Sequence, residues 1–176
     1  MTAPARIRVA DIDDAAALSG LGASTFIETF GHLYRPEDLE SYLTENHSPA
    51  YYADFLRAPG TIAWLATDAR DEPAGYAMAG PCGLGVEGAP ALSGELKRVY
   101  LAKQAQGRGL GKALVEVALD WLEARFSHVY LSVYSENYRA QALYRRYGFE
   151  KVAEHHFMVG THADLDWIMA KTPQKG

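Results

Sequence analysis

Gln106-Gly107-Arg108-Gly109-Leu110-Gly111-Lys112 is the stretch that decides how the chain is read, and it runs directly into an apolar-periodic segment at 113–126. Three glycines on alternate positions give a backbone that turns sharply and carries no Cβ to hold a ligand away. A helix that starts there aims its free N–H groups, and the positive end of its dipole, at whatever occupies the turn. The turn is therefore an anion site, and phosphate is the usual occupant. Two familiar phosphate loops fail on position. A G-x-x-x-x-G-K-[ST] loop ending at Gly111-Lys112 needs its first glycine at Gln106 and a hydroxyl at Ala113. A G-x-G-x-x-G fingerprint needs glycine at Lys112 or at Leu114.

Outward from the turn, period-two and helical patterns alternate. Residues 95–101 read as a strand that stops just before the glycines. The helix after them carries Leu110, Leu114, Val117, Trp121 and Leu122 on one stripe, so Trp121 reads as core. Residues 128–133 read as a strand, and Asn137 caps a helix that closes at Gly148 in the C′ position. Residues 149–159 and 164–170 are the closing strands. In front of the turn, Arg6–Val9 alternates as a first strand, and Asp11, Asp13 and Asp14 offer caps. Leu18, Leu21, Phe26 and Phe30 share a helical face that Gly20 and Gly22 weaken. Pro36 and Ser48-Pro49 open two further helices, the second ending at Pro59-Gly60. Residues 61–67 and 75–79 form a hairpin, and 80–93 is a Gly- and Pro-rich loop of a length more often functional or mobile than inert. The result is mixed α/β (α+β), one domain over 1–176, with a mostly antiparallel central sheet flanked by helices.

Composition narrows the function classes. With 48% of its 176 residues apolar and no low-complexity tract, the chain is globular. No apolar run approaches the ~20 residues that cross a bilayer, and the start lacks a signal-peptide core. A cytoplasmic, cofactor-using protein is expected. Residues 1–60 hold four arginines against nine acids, the whole of the net charge of −5. Residues 96–115 hold Lys97, Arg98, Lys103, Arg108 and Lys112 and no acid. A basic cluster on the glycine turn suits a phosphorylated ligand, and an acidic front third suits a cationic one. An acidic protein with one small basic patch is a poor partner for duplex nucleic acid. Cys82, the lone cysteine, excludes an internal disulfide and a thiolate metal cage. His155 and His156 are neighbours on a strand and point to opposite faces, while His128 and His162 have no carboxylate at metal spacing, so no metal site is expected.

The pattern that does fit is Q-x-x-G-x-G over 106–111, between a strand and a helix, followed by Asn137-x-x-Ala140-x-x-x-Tyr144-x-x-x-Gly148-Phe149. Together they resemble the acetyl-CoA-binding motifs of the GNAT superfamily of N-acetyltransferases, over roughly residues 61–169. The resemblance implies that Val99, Tyr100 and Leu101 line the pantetheine arm with main-chain hydrogen bonds. It implies that Gln106, Gly107, Arg108, Gly109, Leu110, Gly111 and Lys112 hold the pyrophosphate and that Asn137 touches the cofactor arm. Tyr144 would protonate the leaving thiolate, a thiol near pKa 8.5 and a phenol near 10 being close enough for exchange. Its plain alternative is a core aromatic with a satisfied hydroxyl.

Direct transfer needs a neutral amine, whereas an alkyl ammonium has a pKa near 10.4. Glu95, eleven residues before Gln106, resembles by that separation the catalytic glutamate of the histone-acetyltransferase branch. Strand alternation puts it on one face with Lys97, Val99 and Leu101. Its alternative is a strand-entry carboxylate paired with a lysine.

Shorter pieces narrow the resemblance to PaiA-type spermidine/spermine N-acetyltransferases: Glu28-Thr29-Phe30, residues 95–101, 132–137 and 156–160, and Asp166 through Met169. That implies a polyamine acceptor, with the acidic front third as the wall that attracts it. The 80–93 loop departs from the pattern, and no acceptor contact is carried over from it. Other small amines or a protein amine are the alternative acceptors, a CoA-binding module without transfer is the alternative class, and a homodimer is common among such proteins.

Overall fold

Elements begin and end where side chains dictate. The structure is a computed structural model that describes residues 5–172. Strand β1 (Arg6–Val9) leads into a capping box, Asp11 accepting from Asp13 N and Asp14 from Asp11 N. Helix α1 (Ala15–Phe30) follows, unbroken through both glycines. Gly22 serves a close approach: a Cβ there would lie 2.1 Å from Tyr52 Oη. Pro36 and Pro49 sit in the first turns of α2 (Pro36–Asn46) and α3 (Pro49–Arg57), and Ser48 caps the latter. Then come β2 (Ile62–Thr67), β3 (Pro73–Pro81), β4 (Ser93–Leu101), α4 (Leu110–Glu123), β5 (His128–Tyr134), α5 (Tyr138–Arg146), β6 (Glu150–Val159) and β7 (His162–Lys171). No helix among the described residues is long and apolar enough to cross a membrane.

The strands form one seven-stranded sheet in the order β1-β2-β3-β4-β5-β7-β6. Every neighbouring pair is antiparallel except β4 with β5. That parallel pair joins only Ser93–Glu95 to His128–Tyr130, although β4 runs on to Leu101 and β5 to Tyr134. Beyond Glu95 and Tyr130 the sheet therefore opens as a wedge, with unpaired main-chain groups on both sides.

Helices cover the two faces. α4 packs Leu114 against the face of Gly75, and Leu114 and Leu122 are fully buried. Cutting Leu114 back to alanine would cost about 2–5 kcal/mol. α5 lies beside α4, Tyr147 Oη donating to Glu116 Oε1 at 2.9 Å. The opposite face carries α1, α2 and α3, tied down through Tyr52 and Tyr76, whose hydroxyls are 2.6 Å apart. A smaller hydrophobic cluster of Phe26, Tyr42 and Val159 joins α1 and α2 to the β6–β7 hairpin. There Asp38 accepts from Thr161 N at 3.0 Å, a bond that also lowers the Asp38 pKa.

β4 carries a bulge that corrects the strand reading. Met78 pairs with Arg98 but Ala79 pairs with Leu96, which leaves Lys97 without a partner. Alternation then restarts, and Glu95 joins Arg98 and Tyr100 on the face of α1–α3, while Val99 and Leu101 face α4. Glu95 thus does not share a face with Val99 and Leu101. A second difference is small: β3 runs on to Pro81 and β4 starts at Ser93, so the loop between them is shorter than 80–93.

Candidate active site

The wedge is the centre of the site, and the glycine turn stands at its mouth. Gly107 and Gly109 have φ of +80° and +79°, a left-handed backbone that side chains resist, with open space around both. Gly109 is the N-cap of α4 and supplies no side-chain bond, so the first-turn amides are left for a ligand. Gln106 Nε2 reaches back to Leu101 O at 3.4 Å and ties the turn to the end of β4. Arg108 and Lys112 are exposed beside it, Lys112 lying 3.9 Å from Glu116. Uncapped amides, a left-handed turn and two cations fit a pyrophosphate.

The other expected cofactor residues border the wedge. Val99 and Leu101 point to the α4 face. Tyr100 points to the opposite one, its ring 5.6 Å from that of Tyr76 and 6.1 Å from His47. Asn137 caps α5 through its side-chain oxygen, accepting from Ala140 N at 3.2 Å. Its amide nitrogen makes no hydrogen bond among the described residues. Tyr144 lies against Phe149, with ring centres 5.9 Å apart. Burial first, and the Tyr100 hydroxyl second, push the Tyr144 phenol up to about 12. Among the described residues its hydroxyl has no hydrogen-bond partner, as a proton donor awaiting one would require.

Glu95 sits at the apex of the wedge, buried, and its carboxylate is already engaged. Oε2 accepts from Lys97 Nζ at 3.0 Å and from Gly83 N at 2.9 Å. Behind it lies a buried polar network. Tyr52 Oη meets His47 Nδ1 at 2.9 Å, Tyr76 Oη and Arg98 Nη1, which also donates to Asn46 O. Among the described residues His47 Nε2 is buried without a partner, and burial, then the Arg98 charge, lower this imidazole to about 3.

The face of α1–α3 offers a second approach to the wedge. Its floor comes from β5 and β7: Tyr130, Ser132 and Tyr134 beside Asp164, Asp166 and Ile168. Asp164 accepts from the Tyr34 hydroxyl and meets His162 Nε2 at 3.1 Å; Asp166 accepts from Ser132 Oγ at 2.7 Å. A cavity of about 410 Å³ continues past the apex between the 82–92 loop and β6, lined by Val86, Glu87, Tyr130 and Ala153. Of the acids of the front third, Asp14 pairs with Arg8, Asp38 with Arg35 and Thr161, and Glu28, Glu37, Glu40 and Glu45 are exposed on helices. Ser132 and Asp166 each open one of the short stretches that carry the PaiA-type resemblance, but no motif joins them with Asp164; the other signal is polar side chains at spacing two inside apolar strands. Among the described residues no cluster of His, Cys, Asp and Glu is arranged to hold a metal ion.

Known proteins share this fold. Residues 27–149 match the model of the Acetyltransferase (GNAT) family. The chain is 30% identical over 166 residues to an uncharacterized N-acetyltransferase in the pepI 3′ region of Lactobacillus delbrueckii subsp. lactis, covering 86% of this chain and 87% of that one. A shorter match, 50% identical over 66 residues, is to a mycothiol acetyltransferase of Beutenbergia cavernae and spans 37% of this chain and 22% of that protein. Among solved structures, the PaiA N-acetyltransferase of Thermoplasma acidophilum in complex with coenzyme A superposes with a TM-score of 0.75 at 20% identity, covering 97% of this chain and all of that one.

Proposed function

The chain belongs to the acetyltransferase (GNAT) family, and from that premise we propose that it moves the acetyl group of acetyl-CoA to a primary amine of a polyamine by direct attack in a ternary complex. Acetyl-CoA supplies the activated acyl group. The amides of 107–112, with Arg108 and Lys112, hold its pyrophosphate. Val99, Tyr100 and Leu101 offer main-chain groups to its arm, with Asn137 opposite. Tyr144 donates a hydrogen bond to the departing sulfur. Glu95 is the sequence's candidate base, but its Oε2 is already taken by Lys97 Nζ and Gly83 N–H. We therefore assign it to holding the 82–92 loop through Gly83.

The acceptor reading rests on one observation. Asp164 and Asp166 line the approach from the α1–α3 face, and Glu87 lines the cavity beyond the apex. Separated carboxylates of this kind suit a linear polycation better than a single amine. A second reading, the acceptor used by a mycothiol acetyltransferase, is favoured by the 50% identity over 66 residues.

A thiol-release assay decides between them. The panel holds spermidine, spermine, a lysine peptide, an aminoglycoside and a mycothiol-type acceptor. The expected result is the highest kcat/KM with a polyamine, falling as salt screens the groove. A preference for any other amine would replace the acceptor. A rise in Tm with acetyl-CoA but no thiol release with any amine would point to a CoA-binding module without transfer.

A further inference from the structure

Polar side chains of β5, β6 and β7 meet in one line on the acceptor face. Ser132 Oγ lies 2.7 Å from Asp166 Oδ2 and 2.7 Å from His155 Nε2. His155 Nε2 is 4.0 Å from Asp166 Oδ2, so the serine stands between the two. A hydroxyl has one proton to give and lone pairs to receive others. The chain therefore has two orientations. In one, His155 Nε2–H donates to Ser132, which donates to the Asp166 carboxylate. In the other, protonated Asp166 donates to Ser132, which donates to His155. They differ by one proton moved from end to end.

The two ends also differ in access. The Asp166 side chain is 11% exposed, whereas that of His155 is 30% exposed. Facing Asp166 are Asp164 on its own strand, Ser132 on β5, His155 on β6, and the hydroxyls of Tyr34, Tyr100 and Tyr134. Among the described residues no lysine or arginine pairs with it, in contrast to Glu95. Burial is the main influence on Asp166 and favours its protonated form. Nor are the side chains needed to join the strands, since Asp166 is already paired through the backbone with Tyr134 on one side and His155 on the other.

We propose that Asp166, Ser132 and His155 form the relay that carries the amine's proton out of the acceptor groove. The proposal rests on the acetyl-transfer reading above. An N–H bond of the ammonium breaks as an O–H bond forms on Asp166, leaving the nitrogen lone pair free to attack. The Asp166 proton then passes to Ser132 Oγ while the Ser132 proton passes to His155 Nε2. Asp166 is again a carboxylate and His155 an imidazolium. The imidazolium releases its Nδ1 proton to water from its exposed edge, and a flip of the ring then returns an unprotonated nitrogen to Ser132 Oγ for the next turnover. One proton enters and one leaves. Asp166 is the catalytic residue of the relay; Ser132 and His155 act through it.

The test is a set of pH–rate profiles by thiol release with the preferred amine of the panel. His155→Gln and Ser132→Ala are each expected to lower kcat by about 10²-fold, with acetyl-CoA affinity retained and the acid limb of the profile altered. His155→Ala is expected to regain turnover when imidazole is added, which a purely structural role would not produce. Wild-type profiles in both His155→Gln and Ser132→Ala, with no imidazole rescue, would overturn the relay while leaving acetyl transfer standing. A wild-type protein that acetylates no amine in the panel would overturn both.

Discussion

Lys97 Nζ stands 3.0 Å from Glu95 Oε2, on the same face of β4, with Lys97 the bulged residue between Leu96 and Arg98. A regular strand would also put residues 95 and 97 on one face, but it would put Val99 there too. The bulge instead turns Val99 and Leu101 toward α4 and keeps the ion pair at the wedge apex. Both partners are largely buried, so the pair is screened less by salt than a surface pair.

Glu95→Gln is the direct test of what that carboxylate does. Glutamine keeps an acceptor for Gly83 N–H and loses only the charge. If the residue shapes the 82–92 loop, turnover falls modestly, by less than about tenfold, and the pH–rate profile keeps its form. A general base at this position would instead remove about 10²-fold or more and shift the acid limb. The profile is measured with saturating acetyl-CoA, and a displaced acid limb returns the base role to Glu95.

Tyr144→Phe separates proton donation from binding. A thiolate near pKa 8.5 taking a proton outright from a phenol at about 12 is uphill by roughly 5 kcal/mol. Tyr144 is therefore better suited to giving the leaving sulfur a hydrogen bond than to full transfer, a harder exchange than the unperturbed values imply. Phenylalanine keeps the packing on Phe149 and removes the hydroxyl. Expected are a fall in kcat of about 10- to 10²-fold and an acetyl-CoA Kd within a factor of about two. An unchanged kcat would return Tyr144 to a packing role.

How far the sequence reached depends on the range of the interactions. The glycine turn was legible because left-handed backbone demands glycine at Gly107 and Gly109 whatever surrounds them. The caps at Asp11, Ser48 and Asn137 were legible for the same local reason. The bulge at Lys97 has no compositional mark, since Leu-Lys-Arg suits a regular strand equally well. The Asp166–Ser132–His155 line was hidden more deeply. It depends on the registers of β5 with β7 and of β6 with β7, and the residues lie 11 to 34 positions apart in the chain. The acidic front third carried a composition signal but no geometry, and its carboxylates stand on caps, hairpin contacts and solvated helix faces.

Gly109→Ala tests the turn as the cofactor anchor. A side chain at a φ of +79° costs roughly 1–2 kcal/mol, and relaxing that strain re-aims the first amides of α4. At a hundredfold excess over Kd, acetyl-CoA stabilises the wild type by about 2.7 kcal/mol; a variant binding tenfold more weakly gains about 1.4 kcal/mol. The expected result is a correspondingly smaller rise in Tm at that acetyl-CoA concentration. An equal rise in both proteins would remove the turn from the cofactor site.

His47 gives the fold a pH dependence that is separate from catalysis. Its imidazole is 2% exposed, and in the folded protein its pKa falls from 6.5 to about 3 through burial, with Arg98 adding repulsion. Between those values the unfolded chain binds a proton that the folded chain refuses. Stability is therefore full above pH 6.5 and is lost as pH falls, by about 1.4 kcal/mol per pH unit. Urea midpoints at pH 7 and pH 5 should show a loss of about 2 kcal/mol in the wild type from this residue. His47→Gln keeps a side-chain group near Tyr52 Oη and does not titrate, so it should lose less over the same interval even if it is weaker at pH 7. All other titrating groups are shared, so their contributions cancel in the difference between the two proteins. Parallel losses in wild type and variant would mean that His47 takes up its proton without unfolding the network around Tyr52, Tyr76 and Arg98.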